Sequence, residues 1–332
     1  HSTRDLSVHR WINLSWRRAD EEAMTTIVEP FPPMTPYGAR HTSPTGVRRR
    51  AQAAARDTIR TFGQLTAPLR ALPEYLVIGT KRGGTTSLAR WLLEHPDVRP
   101  LFPRRETRKG TYYFDVNHAR GQAWYRSHFP TRAAHDLRQR RAGRHLLLGE
   151  ATPYYLHHPH AAARAAQLVP EAKVIALLRH PVDRAQGHWA ERVRQGVETL
   201  SFPEAIEAEP ARLAGEEERM LADPRYASFA HQHWSYVDQG RYARGLRRWL
   251  DVYPRHQLLV LRSEDLYADP GTVYDQVLDF LGLAGHRPSS LKGHNRTAND
   301  EIEPRLRAHL QELLAPDIEQ TETLLDRDLA WR

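Results

Sequence analysis

Gly79-Thr80-Lys81-Arg82-Gly83-Gly84-Thr85-Thr86 decides the fold of this chain. It follows the apolar run Tyr75–Gly79 and opens a helical stretch, Ser87–His95. Glycines let the backbone turn tightly there. Successive N–H groups at the start of a helix then face one point, at the positive end of the helix dipole. Such a turn cradles a phosphate-like anion. The Gly79–Gly84 spacing is that of the nucleotide loop G-x-x-x-x-G-K-[ST]. Thr85, however, stands where an ATPase or GTPase carries the Lys that reaches β- and γ-phosphates. Here the positive charge lies earlier, at Lys81 and Arg82, which suits a shorter anion without a triphosphate tail.

Short β-rich runs recur at His145–Gly149, Lys173–Leu178 and Gln257–Leu261. Helical stretches follow or separate them at Ala161–Leu168, Val182–Gln195, Arg241–Tyr253, Pro270–Leu281 and Pro304–Ala315. Continuous apolar strands alternating with helices predict an α/β fold, a parallel P-loop-like sheet covered by helices on both faces. One main domain is expected over 71–332, preceded by an extension, 1–70. In that extension, residues 29–46 read as a Pro/Gly/Ser/Thr-rich linker. Residues 47–65 read as a basic helix (Arg48, Arg49, Arg50, Arg56, Arg60) that docks on its own domain or, alternatively, touches a membrane surface. The chain begins with His1, which suggests a processing boundary, and Met24 is a candidate natural start.

A second signature is Val174-Ile-Ala-Leu-Leu-Arg-His-Pro-Val-Asp-Arg184. Pro favours the first turn of a helix, so Arg179 falls at the carboxyl end of its strand, the edge where open α/β sheets bind ligands. With these two motifs in place, the sequence resembles the sulfotransferases that use 3′-phosphoadenosine 5′-phosphosulfate (PAPS). Their loop reads G-x-x-[KR]-x-G-T-[TR]-x-L, which Gly79–Leu88 matches throughout. Their 3′-phosphate motif reads R-[DN]-P-x-[ED]-R-x-x-S, which Arg179, Pro181, Asp183 and Arg184 match. His180 and Gly187 depart from it. The resemblance implies PAPS bound by Lys81, Arg82, Gly83, Gly84, Thr85, Thr86 and Ser87 on one side and by Arg179 and Gly187 on the other. Arg82 would stabilise the leaving oxygen, and Arg296 would close over the cofactor in a late loop. Lys109-Gly-Thr-Tyr-Tyr-Phe-Asp115 and Gly149-Glu-Ala-Thr-Pro-Tyr-Tyr155 resemble the K-E-x-H-[FY]-F-D and G-E-K-T-P-x-Y segments of a bacterial, heparan-type carbohydrate branch.

That branch takes the acceptor proton with the Glu of K-E-x-H, and here the position is Gly110. Glu150, directly after a strand on the loop's edge, and His188, on the helix after Arg179, are the leading replacements. His188 has an unperturbed pKa near 6.5, suited to proton transfer; Asp115 is a third candidate. His157-His-Pro-His160 looks like a metal cluster, but no carboxylate is placed to complete it. No metal is expected, and sulfuryl transfer from PAPS does not require one.

Composition sets the outer bounds. The 332 residues include no Cys, which excludes disulfides, thiolate metal sites and a Cys nucleophile and suits a reducing, cytoplasmic compartment. Apolar runs are too short for a membrane-spanning helix. A net charge of +8, with only four Lys among the 48 basic residues, favours planar recognition of phosphate or sulfate. The expected partner is a hydroxylated acceptor, a glycan or glycosylated metabolite, and no nucleic acid. Two other readings stay open: a P-loop kinase, and a non-catalytic module binding anions or nucleic acid, for which no recognisable nucleic-acid motif is present.

Overall fold

The computed structural model describes residues 59–102, 109–291 and 301–331. The expectations for Arg296, and for most of the basic stretch 47–65, lie outside them. The first strand, β1 (Tyr75–Gly79), leads through the glycine loop into α1 (Thr85–Glu94), and a short edge strand, β2 (Val98–Arg99), follows. Helices α2 (Gly121–Arg126) and α3 (Arg132–Ala142) precede β3 (Leu147–Ala151), α4 (Ala161–Leu168), β4 (Lys173–Leu178) and α5 (Pro181–Arg194). Next come α6 (Phe202–Leu213), α7 (Glu216–Ala222), α8 (Phe229–His233) and α9 (Tyr242–Leu250). The chain then runs through β5 (Leu258–Arg262), α10 (Ser263–Ala268), α11 (Pro270–Leu281) and α12 (Pro304–Leu325).

The five strands form one sheet in the order β2-β3-β1-β4-β5, with every pairing parallel. β1 is buried along its whole length. Successive side chains on a strand point to opposite faces, and the two cores divide accordingly. Leu76, Ile78, Leu148, Val174, Ala176 and Leu178 enter one core, together with Ala165 of α4, Ala185 of α5 and Trp249 of α9. Tyr75, Val77, Leu147, Ile175 and Leu177 enter the other, together with Trp91 of α1 and Val277 of α11. Helices therefore cover both faces, as the apolar strands require.

Several element ends differ from the sequence reading, and two have a visible cause. β3 lies at Leu147–Ala151 rather than at 145–149, because His145 is exposed and bonded to Glu74 at 2.6 Å instead of joining the sheet. α12 continues past Pro316 to Leu325, because Ile318, Thr321 and Leu325 still face the core beyond that residue. Residues 59–70 lie in the same compact unit as the sheet. Arg60 Nη1 donates to Ser127 Oγ at 3.1 Å, and the buried Arg70 guanidinium donates to the Phe129 carbonyl. Among the described residues, no helix is long and apolar enough to cross a membrane.

Candidate active site

The loop between β1 and α1 is held from three sides. Thr80 N–H donates to Leu177 O on β4 at 2.7 Å, Gly83 N–H closes back onto Thr80 O at 3.0 Å, and Ser263 Oγ holds Gly83 O at 2.6 Å. Gly84 is the N-cap of α1 at φ 95°, a conformation open to glycine, and supplies no capping side chain. The first-turn N–H groups of α1 thus keep their anion-binding direction. Arg82 also has positive φ, 67°. A left-handed residue other than glycine costs about 1–2 kcal/mol, and here it sends two consecutive cations in different directions.

Lys81 turns inward. Its ammonium donates to Gln232 O on α8 and lies 4.6 Å from the centre of the Tyr154 ring. Burial, followed by the nearby Arg192, holds its pKa well below the lysine range. Expected to bind cofactor, Lys81 instead ties the loop to α8. Arg82 faces α5, where its Nη1 lies 3.9 Å from Glu191 Oε2.

Arg179 leaves the end of β4 beside the same point, and its Nη1 donates to Arg82 O at 3.3 Å. Tyr242 Oη fixes the Arg179 carbonyl at 2.7 Å, and Glu264 Oε1 accepts from His180 N at 2.8 Å. Gly187 comes round one face of α5 to meet both arginines. A Cβ there would lie 3.3 Å from Arg179 Nη1 and 3.5 Å from Arg82 Nε. The glycine therefore lets both guanidinia pack directly against α5 beside the loop that opens α1. The two motifs, nearly a hundred residues apart, meet because β1 and β4 are sheet neighbours.

The segment that begins at Lys109 lies against the end of β3, where Ala151 N–H donates to Lys109 O at 2.8 Å. A Cβ on Gly110 would run into Ala151 O and Thr152 Oγ1, so this backbone has no room for the missing Glu. Lys109 Nζ donates to Thr86 Oγ1 at 2.8 Å and to Thr85 Oγ1 at 3.0 Å. The sequence reading did not count Lys109 among the site residues. Its signal in the sequence is its place at the head of the segment that lacks the family Glu.

Glu150 is 1% exposed. It accepts from Thr111 N at 2.5 Å, Tyr125 Oη at 3.0 Å, Tyr155 Oη at 3.1 Å and Thr152 Oγ1 at 3.3 Å. Burial raises its pKa against those donors. The sequence placed Glu150 on the open edge as a base; the structure places it beneath the 111–113 turn with both oxygens engaged. His188 is likewise sealed in. It packs edge-on to Tyr236 with ring centres 5.2 Å apart, and neither ring nitrogen has a hydrogen-bond partner among the described residues. Burial first, then Lys81 and Arg192, hold its pKa well below the usual histidine range. Neither group is positioned to meet an acceptor from solvent. Asp115, also buried, has its pKa pushed up by burial to about 7.

The expectation that no carboxylate reaches the His157 cluster is corrected. His157, His231 and Asp238 bring ligand atoms within 4.8 Å of one another. Asp238 Oδ2 lies 3.3 Å from His157 Nε2 and also accepts from Arg244 Nη2 at 2.8 Å. The two imidazoles are stacked, with centres 4.3 Å apart and planes 17° from parallel. Imidazole lone pairs lie in the ring plane, so these two rings do not aim at one ion. Sequence could not bring Asp238 here, because the contact is made by the fold.

A parallel sheet with an anion loop after β1 and an arginine after β4 defines a nucleotide-dependent transferase site of the P-loop-like kind. Residues 72–299 match the family described as "Sulfotransferase domain". The chain belongs to the PAPS-dependent sulfotransferase family and is an enzyme that transfers sulfate. It is 32% identical to a sulfotransferase from Alicyclobacillus acidocaldarius, with a TM-score of 0.57 over 79% of this chain and 99% of that one. It is 33% identical to human bifunctional heparan sulfate N-deacetylase/N-sulfotransferase 3 over 65% of this chain and 23% of that protein. It is 24% identical to the Dictyostelium discoideum membrane-associated sulfotransferase kil1 over 86% of this chain and 72% of that protein. Membership decides between the readings the loop left open: sulfate transfer, rather than kinase chemistry or a non-catalytic anion module.

Proposed function

We propose that this enzyme transfers the sulfuryl group of PAPS to a hydroxyl of a carbohydrate or glycosylated acceptor, by in-line displacement. The acceptor oxygen forms the new S–O bond while the bond from sulfur to the bridging oxygen breaks. The electron pair stays on the 5′-phosphate, and the acceptor proton passes to a base. The observation that supports the reading is the meeting of Arg179 and Arg82 against Gly187, beside the glycine loop that opens α1.

In this assignment the N–H groups of Gly83, Gly84 and the first turn of α1, with the hydroxyls of Thr85, Thr86 and Ser87, take the 5′-phosphate. Arg82 neutralises the bridging oxygen as sulfur leaves. Arg179, beside Gly187, takes the 3′-phosphate. With Gly110 and the buried Glu150 and His188 set aside, Glu191 is the carboxylate that reaches Arg82, and we assign it the acceptor proton. The carbohydrate acceptor rests on relatives such as human heparan sulfate glucosamine 3-O-sulfotransferase 3B1, 30% identical over 64% of this chain and 47% of that protein. Transfer needs no metal ion in this scheme. The Cys-free sequence suits a cytoplasmic location.

The test compares binding of 3′-phosphoadenosine 5′-phosphate with binding of adenosine 5′-phosphate. Wild type should favour the bisphosphate, and Arg179→Ala should remove a charge-assisted contact of about 1.5–3 kcal/mol, most of that preference. An unchanged preference in the variant overturns the assignment of the 3′-phosphate site. A screen of hydroxylated acceptors with labelled PAPS then identifies the substrate class.

A further inference from the structure

We propose that Lys109 is a cofactor-binding residue of this enzyme: its ammonium sits over the two hydroxyls that open α1 and contacts the 5′-phosphosulfate itself. This rests on the donor assignment above and adds to it a cation from outside both signature motifs. Lys109 Nζ is within 3.0 Å of Thr85 Oγ1 and Thr86 Oγ1. Both hydroxyls lie in the first turn of α1, where backbone N–H groups and the helix dipole favour an anion.

The backbone explains how a lysine comes to be there. Gly110 lets the chain lie flat on the end of β3, and the Ala151–Lys109 hydrogen bond fixes it. β3 and β1 are parallel neighbours, so the end of β3 and the loop after β1 share one edge of the sheet. The family segment G-E-K-T-P has a Lys where this chain has Ala151. Lys109, on the neighbouring stretch and hydrogen-bonded to Ala151, brings an ammonium to that edge. With Lys81 turned inward onto Gln232 O and Tyr154, Lys109 and Arg82 are then the two cations that meet the phosphosulfate. When the S–O bond breaks, the bridging oxygen keeps the electron pair, and a fixed ammonium beside the phosphate stabilises that charge without transferring a proton.

The environment of Lys109 makes the idea measurable. Burial lowers its pKa to about 8; Glu191 opposes the fall, and Arg90 and Arg82 add to it. A bound phosphate raises the lysine pKa, so the complex holds more protons than the free enzyme. Affinity for a phosphate at this point is therefore full below the free value and declines as pH rises through it.

The experiment titrates the full chain with 3′-phosphoadenosine 5′-phosphate by calorimetry from about pH 7 to about pH 10, where the phosphates themselves stay dianionic. Wild type should bind progressively more weakly above a pH of about 8. Lys109→Met should bind about 10- to 100-fold more weakly at pH 7 and lose that decline. Lys109→Arg should keep most of the affinity at pH 7 and stay flat, because a guanidinium does not titrate in this range. The same decline in Lys109→Met as in wild type, or undiminished affinity at pH 7, overturns the proposal. If wild type binds the bisphosphate no better than adenosine 5′-phosphate, the donor assignment fails instead, and the two failures are distinct.

Discussion

Two polar clusters sit a few residues apart at the same edge of the sheet and are built on opposite rules. Beneath the 111–113 turn, Glu150 accepts from one backbone N–H, two tyrosines and a threonine. Across the loop, Arg179 Nη1 donates to Arg82 O, both guanidinia lie against Gly187, and Lys109 holds the hydroxyls of Thr85 and Thr86. The first cluster supplies its own hydrogen-bond complement. The second gathers three cations around the glycine loop, with Glu191 as the acid beside Arg82. A buried polar group completed by its own chain acts as scaffold, while cations gathered around an anion loop mark a binding site.

The largest effect expected from that contrast concerns stability. Glu150→Ala strands several buried donors at once. At about 1–3 kcal/mol for each donor left unsatisfied, the loss should reach about 3–5 kcal/mol, read as a fall in the urea midpoint. Glu150→Gln keeps an acceptor and should lose much less, with bisphosphate binding retained. A Glu150→Ala protein as stable as wild type would show that the cluster is not scaffold and would return Glu150 to the list of possible bases.

Glu191 tests the other cluster. A positioned general base contributes about 10²–10⁴ in rate, so Glu191→Gln should lower kcat for sulfate transfer at least a hundredfold. Binding of the bisphosphate should hold or tighten, because a carboxylate beside Arg82 no longer competes for the guanidinium. An unchanged kcat would move the proton to another group. Asp115, with its pKa raised to about 7 and its Oδ2 buried without a hydrogen-bond partner among the described residues, would be the next to examine.

The same contrast explains what the sequence did and did not disclose. The loop, β4 and Arg179 were legible because strand–glycine–helix and strand–Arg–Pro–helix patterns are local: a buried strand, a turn that needs glycine and a proline at the first helical turn leave few other readings. The different directions of Lys81 and Arg82 were not legible, because they depend on one positive φ. Glu150 read as an edge carboxylate because its donors come from Thr111 and Tyr125, brought over it by segments that pack only in the folded chain. Lys109 was overlooked for a related reason. Its partners are 23 and 24 residues earlier, and only the pairing of β3 with β1 places them together. Asp238 meets His157 by the same kind of long-range contact.

The smallest expected effect comes from adding a side chain at Gly187. Gly187 lies inside α5, where glycine is less favourable than residues with a side chain by roughly 0.5–1 kcal/mol, and the related 3′-phosphate motif carries Ser at that place. In Gly187→Ser the new Cβ would lie 3.3 Å from Arg179 Nη1, close enough that the guanidinium must shift slightly, which the end of a long side chain does at little cost. The hydroxyl would then stand between the two arginines as a further donor to the 3′-phosphate. Helix propensity should raise stability by a few tenths of a kcal/mol, and bisphosphate affinity should rise a few-fold. A net hydrogen bond contributes only about 0.5–1.5 kcal/mol, and part of that is offset by moving Arg179. If affinity instead falls tenfold, the space at Gly187 is already filled by the bound phosphate. The glycine would then be the residue that lets both guanidinia close on the ligand directly, with no room for a third donor.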